Sequence, residues 1–315
     1  MSVRRLLVFD ENAHFYAQRL QAELGDAYEI AATNDRAKAQ RLLPHQQVLV
    51  VPDTWLDDGF LAAGAGLAWV HSLRAGVDRL LASRTLPADA IVTSSRGIHG
   101  PQMAETALLL MMALARNLPR MLQNQEEARW EPWPQPLLEG KHVVIVGVGS
   151  IAQVVAPRCQ AFGMRVTGVA STARELPGFD AIRPRAELPQ VLATADFVVL
   201  LLPLDERSRG LFDADLLAAL PPHAILVNLS RGGIVDEQAL RAALDAGRLA
   251  GAGMDVFATE PLPADSALWR TPNLIVTPHI GGYADTYKDK ALALLLENAR
   301  AFAQGHGQDL RNRMR

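Results

Sequence analysis

The stretch His142-Val143-Val144-Ile145-Val146-Gly147-Val148-Gly149-Ser150-Ile151-Ala152 decides the fold. Its first five residues hold four consecutive Val or Ile, the signature of a strand covered on both faces in a parallel sheet. Gly147 then permits a tight turn. Gly149 lets a phosphate approach the main chain, and Ala152 stands where the following helix packs on the strand. Free N–H groups and the positive end of that helix form an anion site, with Ser150 and Ile151 on its rim. Read alone, G-x-G-x-x-A can be mere turn chemistry. Between a strand and a helix it predicts dinucleotide binding.

Working outward, apolar runs at 165–169, 197–202, 224–229, 250–254 and 274–277 join 142–146 as six expected strands of a doubly wound sheet. Upstream, 6–9, 48–51 and 67–70 read as strands of an earlier sheet, with helical spacing over 13–24 and 36–43. A Leu-, Met- and Ala-rich helix is expected over 102–118, opened by Gly100-Pro101 and closed near Asn117 and Pro119. A last helix, 284–304, has the apolar length to return to the first domain. The expected fold class is α/β: a Rossmann-type domain over residues 99–284, and a second α/β domain from 1–98 with 285–315.

Composition agrees with a globular protein of about two domains: 315 residues, 49% hydrophobic and 21% charged. A net charge of -3 provides no basic field for nucleic acid or an anionic membrane. Near the middle of the chain, the run 107–115 free of strongly polar residues is far short of the ~20 that a bilayer needs. No signal-like segment opens the chain. The one cysteine, Cys159, cannot form an internal disulfide, so a reducing, cytoplasmic setting is expected. No string of acids suggests a hard cation, and no metal is expected.

About twenty residues past the glycine turn, an NAD site offers an acid to the ribose hydroxyls. This chain has Ser171-Thr172-Ala173-Arg174 instead. Two hydroxyls and a guanidinium suit a 2′-phosphate, so NADP(H) is expected to be preferred, with NAD(H) as the second choice.

Three polar residues farther on carry the chemistry. Arg231 lies in Asn228-Leu229-Ser230-Arg231-Gly232-Gly233. Glu260 lies in Asp255-Val256-Phe257-Ala258-Thr259-Glu260-Pro261. His279 lies in Thr277-Pro278-His279-Ile280-Gly281-Gly282. Arg231 and His279 follow expected strands, whose carboxyl ends form the ligand crevice of such a sheet. A histidine can give a proton to a carbonyl oxygen as hydride arrives, and a carboxylate fixes its ring. An arginine can bind a substrate carboxylate and polarise the carbonyl. Singly, each has a duller reading: a surface ion pair, a loop acid, a capped core histidine.

Together, the GVGSIA turn, Leu200-Leu201-Leu202-Pro203-Leu204, NLSRGG, D-V-F-x-x-E-P and T-P-H-I-G-G resemble the D-2-hydroxyacid dehydrogenases. Arg74-Ala75-Gly76-Val77-Asp78 and Ala104-Glu105 add to the likeness, which covers most of the chain and is weakest before residue 65. The resemblance implies a flavodoxin-like substrate domain and a cleft that closes over cofactor and substrate. It implies catalytic roles for Arg231, Glu260 and His279, and substrate-carboxylate binding around Arg74, Ala75 and Gly76. Asp255 matches the position meeting the nicotinamide carboxamide, and Pro203 lines the adenine-ribose side. Leu202, Leu229, Ser230 and Gly281 complete the implied cofactor set. A homodimer through the cofactor domain and a small 2-oxo or 2-hydroxy acid are the implied partners.

The Ser171–Arg174 segment looks like the NADPH-dependent glyoxylate/hydroxypyruvate reductase subgroup. Relatives with a C-terminal regulatory domain would need residues beyond 315. The alternative reading is a nucleotide-sensing, corepressor-like regulator on the same fold. Trp55 could close a substrate pocket but reads more simply as a core or loop aromatic. His71, His99 and Cys159 read as structural.

Overall fold

A computed structural model of the chain describes residues 3–315. The chain forms two compact units, Met1–Ile98 with Ala284–Arg315, and His99–Tyr283.

The first unit holds five parallel strands: β1 (Arg4–Phe9), β2 (Tyr28–Thr33), β3 (Val48–Val51), β4 (Trp69–Ser72) and β5 (Ile91–Ser94). Their order, β2-β1-β3-β4-β5, is the flavodoxin-like one. β1 shows why its apolar run is unbroken. Leu6 and Val8 join a core with the helices Ala13–Leu24 and Tyr287–Ala303, while Leu7 and Phe9 join a second core with Leu43, Phe60 and Leu61. Period-two alternation sends successive side chains to opposite faces, and both faces are covered.

The second unit holds seven parallel strands: β6 (His142–Val146), β7 (Arg165–Ala170), β8 (Ala181–Pro184), β9 (Phe197–Leu200), β10 (Ile225–Asn228), β11 (Gly251–Met254) and β12 (Leu274–Val276). The order β12-β11-β10-β9-β6-β7-β8 reverses direction between β6 and β9. In a Rossmann sheet that reversal is the topological switch point, with the ligand crevice at its carboxyl end. Val144 and Val146 face one core, Val143 and Ile145 the other.

Three strands were not expected from the sequence: β2, β5 and β8. All three are edge strands. With a neighbour on one side only, an edge can carry Glu29, Ser94, Arg183 and Pro184, and the continuous apolar run disappears. The expected strand at 67–70 begins at Trp69, and that at 197–202 ends at Leu200. The expected helix 102–118 runs Gly100–Ala115, and a second helix not expected from the sequence, Leu118–Glu126, follows it. Asn117 between them is left-handed, with φ +52°, and its side chain caps the second helix at the Arg120 amide. The Asn-Pro pair is therefore a stop and a new start.

Candidate active site

The glycine turn follows β6 as a tight reversal. Gly147 has φ +102°, and a Cβ there would lie 2.7 Å from the Leu201 carbonyl oxygen, so no other residue fits. Gly149 differs: a Cβ there would meet no heavy atom within 4 Å. Protein crowding does not explain this glycine, whereas a ligand close to the backbone does. The next helix, Ala152–Ala161, has no side-chain cap at its N-terminus, so its first amides and dipole are available to an anion. This cradle fits the pyrophosphate of a dinucleotide. Beyond β7, Ser171, Thr172 and Arg174 are exposed. Arg174 Nη2 donates to the Val148 carbonyl at 2.7 Å, which brings the guanidinium over the glycine turn.

Arg231, Glu260 and His279 come from three loops at the carboxyl end of the same sheet, and these loops are bonded to one another. His279 follows β12 with φ +54°, a left-handed conformation that costs a non-glycine residue of order 1 kcal/mol or more. Asp255, 1% exposed, holds it there. Its Oδ1 accepts from Thr277 Oγ1 at 2.6 Å and the Ile280 amide at 3.0 Å; its Oδ2 accepts from the Gly281 amide at 2.9 Å. A side chain at Gly281 would meet Asp255 Oδ2 at 2.8 Å, so that glycine admits the carboxylate.

Glu260 spans two partners. Its Oε2 meets His279 Nδ1 at 2.8 Å, and its Oε1 accepts from the Phe257 amide at 2.9 Å. Burial opposes ionisation of Glu260, but those two bonds and the charges of His279 and Arg231 prevail, holding its carboxyl below the ordinary value. The bond to Glu260 occupies Nδ1, leaving Nε2 of a half-exposed ring without a protein partner among the described residues. An imidazole oriented in this way can deliver a proton from Nε2.

Arg231 leaves β10 through Ser230. Asn228 Oδ1 accepts from the Ser230 amide at 3.1 Å, and Ser230 Oγ accepts from the Leu202 amide at 2.9 Å, tying this turn to the one after β9. Leu229 is buried beside it, and Pro203 is exposed beyond Leu202. Arg231 Nη1 donates to the Ser230 carbonyl at 2.8 Å. A Cβ on Gly232 would fall 1.8 Å from the Phe257 carbonyl oxygen. The Arg231 turn and the Glu260 loop therefore touch backbone to backbone. Sequence reading did not reach two of these devices: the Asp255 clasp on the His279 loop and the Gly232–Phe257 contact. The glycines Gly232 and Gly281 were their visible traces.

Arg74, Ala75 and Gly76 lie in the first unit, on the loop after β4, which has its own fastening. Ser72 Oγ donates to the Gly76 carbonyl and accepts from the Arg74 amide, both at 3.1 Å. The Ser95 amide donates to the carbonyls of Ser72 at 3.0 Å and Arg74 at 3.1 Å. Beneath it, Trp69 Nε1 donates to Thr93 Oγ1 at 2.8 Å. His71 Nδ1 is hydrogen-bonded with the Thr93 hydroxyl at 2.7 Å, and His71 Nε2 with Ser95 Oγ at 3.2 Å. Complete burial pushes the His71 pKa down to about 3, so the ring is neutral. Trp55 is half-buried and edge-on to Phe9. Cys159 is buried, and burial pushes its thiol up to about 12, which makes it inert. Among the described residues no helix is long and apolar enough to cross a membrane.

Known proteins share this arrangement. Residues 108–281 match the family described as D-isomer specific 2-hydroxyacid dehydrogenase, NAD binding domain. A D-3-phosphoglycerate dehydrogenase of Mycobacterium tuberculosis is 33% identical over 314 residues, covering 97% of this chain and 58% of that protein. The chain thus spans a little over half the length of that relative. A D-isomer specific 2-hydroxyacid dehydrogenase family protein of Aeromonas salmonicida superposes with a TM-score of 0.92 at 35% identity, covering 100% of this chain and 99% of the other. One from Xanthobacter autotrophicus, solved with NADPH and MES, gives a TM-score of 0.84 at 31% identity, covering 100% and 98%. A reversed parallel sheet, a glycine cradle for a nicotinamide dinucleotide and a histidine–glutamate couple beside an arginine thus coincide with a match over more than half of the residues, and the chain belongs to the D-isomer specific 2-hydroxyacid dehydrogenase family.

Proposed function

We propose that the protein reduces a small 2-oxo acid, of the glyoxylate or hydroxypyruvate type, to the D-2-hydroxy acid. The observation that carries this reading is the 2.8 Å bond between His279 Nδ1 and Glu260 Oε2, in reach of the charge of Arg231. The bound nicotinamide would supply the hydride. His279, oriented through Nδ1, gives the proton from Nε2 to the carbonyl oxygen as negative charge grows there. Glu260 stays ionised and fixes the ring through Nδ1. Arg231 binds the substrate carboxylate and polarises the carbonyl.

Arg74, Ala75 and Gly76 are proposed as further holders of the substrate carboxylate. Support comes from their loop: its carbonyls and the Ser72 hydroxyl are engaged, while the amides of Ala75 and Gly76 are left out of those bonds. Gly147, Gly149, Ser150 and Ile151 would hold the pyrophosphate. Leu202, Pro203, Leu229 and Ser230 would line the dinucleotide, and Asp255 and Gly281 would adjoin the nicotinamide amide. NADPH is proposed over NADH, because Ser171, Thr172 and Arg174 present hydroxyls and a cation where an acid would repel a 2′-phosphate. Exposed Leu109, Met121, Leu122, Leu137 and Phe162 on the second unit suit a homodimer through that unit, in a cytoplasmic setting.

A steady-state screen of glyoxylate, hydroxypyruvate, pyruvate and phenylpyruvate with both reduced cofactors tests the whole. Turnover with NADPH is expected, and His279→Ala should lower it ~10²–10⁴-fold. Arg174→Ala should raise the KM for NADPH ~10-fold, as for one charge-assisted hydrogen bond, and leave that for NADH unchanged. Protein that binds NADPH yet reduces none of these acids would support the nucleotide-sensing alternative instead.

A further inference from the structure

The loop that carries Glu260 presents two consecutive amides to two different carboxylates. Phe257 N–H goes to Glu260 Oε1 at 2.9 Å, while Ala258 N–H goes to Glu237 Oε1 at 2.6 Å. We propose that Glu237 is a positioning residue for the His279–Glu260 couple, acting through the Ala258 amide.

Glu237 is well placed to fix a loop. It is the first residue of the helix Glu237–Asp245, whose N-terminus is locked by Asp236 Oδ1 accepting from the amides of Gln238 at 2.9 Å and Ala239 at 3.0 Å. A carboxylate at that end is also favoured by the helix dipole. Ala258 is exposed, so water could satisfy its amide if Glu237 were absent, and the bond adds little to folding. What it adds is direction. Without Glu237 the Ala258 amide turns to water, and the segment from Phe257 to Glu260 is no longer tied to the helix that follows Arg231. Glu260, held from its own side only by the Phe257 amide, would then lose its fixed aim at the imidazole. The same short segment leads from Arg231 through Gly232, whose Cα lies under the Phe257 carbonyl, to Glu237. Glu237 therefore closes a frame in which Arg231, Phe257, Ala258 and Glu260 have one arrangement.

The proposal rests on the 2-oxo acid reduction proposed above, so the test has one arm that needs no turnover. Glu237→Ala should lower kcat about tenfold, as for a small misplacement of reacting groups, and leave the KM for NADPH unchanged. In the protein without cofactor, the low-field proton resonance of the His279–Glu260 hydrogen bond should broaden or move upfield. Glu237→Gln, which keeps an acceptor oxygen, should restore both turnover and resonance. Glu237→Asp keeps the charge but shortens the reach; it should behave as Ala does, and it serves if the alanine variant does not fold. An unshifted resonance in Glu237→Ala, or Gln failing as fully as Ala, overturns the proposal. Wild-type protein that turns over no 2-oxo acid would defeat the reductase reading alone, and the resonance would still decide the role of Glu237.

Discussion

Two loops in this molecule are built for one purpose with opposite chemistry. After β12, the His279 loop is clasped by carboxyl groups, with Asp255 taking three donors and Glu260 bridging two. After β4, the Arg74–Gly76 loop is fastened by hydroxyls and a neutral imidazole, in a network from Trp69 to Ser95 that carries no charge. Carboxylates accept strongly and orient the histidine they touch. Hydroxyls pin a backbone without adding a field of their own. Under the function proposed above, the first kind of support suits His279 as a proton donor, and the second suits the Arg74–Gly76 loop as a backbone surface for a substrate carboxylate.

The largest effect expected from breaking this contrast comes at Gly232. A methyl group there meets the Phe257 carbonyl at 1.8 Å, so Gly232→Ala must push the Arg231 turn and the Glu260 loop apart. Turnover should fall ~10²-fold, as misplaced reacting groups do. A crystal structure of the variant should show the displaced loop. Wild-type kcat would mean that the two loops move independently.

Asp255→Asn sharpens the contrast. Asparagine has one acceptor oxygen, so its NH2 must face either the Gly281 amide or the Thr277 and Ile280 donors. Leaving such donors unmet costs ~1–3 kcal/mol. Faster hydrogen exchange at Ile280 and Gly281 should report it, and exchange at wild-type rates would show the clasp to be dispensable.

The smallest effect separates the two loops by pH. Because the folded His71 pKa is about 3, below its ordinary 6.5, the unfolded chain takes up a proton between those values that the folded chain refuses. The stability from His71 is full above pH 6.5 and declines as pH falls toward 3. Glu260, held below its ordinary 4.5, contributes fully above that value and loses its share only as pH falls through the lower folded pKa. Acidification should therefore loosen the β4 loop first. Buried Asp10 and Asp53 in the same unit have raised pKa values, chiefly from desolvation, and act in the opposite sense. The informative quantity is thus wild type minus His71→Gln. Hydrogen exchange in β4 and β5 between pH 6.5 and 5 should steepen in wild type and stay flatter in the variant. Parallel profiles would remove His71 from the account.

The sequence by itself located every strand with neighbours on both sides, because such strands are covered on both faces and hold short apolar runs, as in Val143–Val146. It also pointed to Arg231, Glu260 and His279, since a proton donor, its carboxylate and a cation are residue types that the chemistry itself selects. Only the tertiary structure decided the edges β2, β5 and β8, where one open side relaxes the demand for apolar residues. The bonds that aim the site were likewise decided there. Asp255 to the Gly281 amide, Glu237 to the Ala258 amide and Gly232 under the Phe257 carbonyl all join side chain or backbone to main-chain atoms. Every residue carries the same amides and carbonyls, so no pattern of side chains can announce which of them will meet.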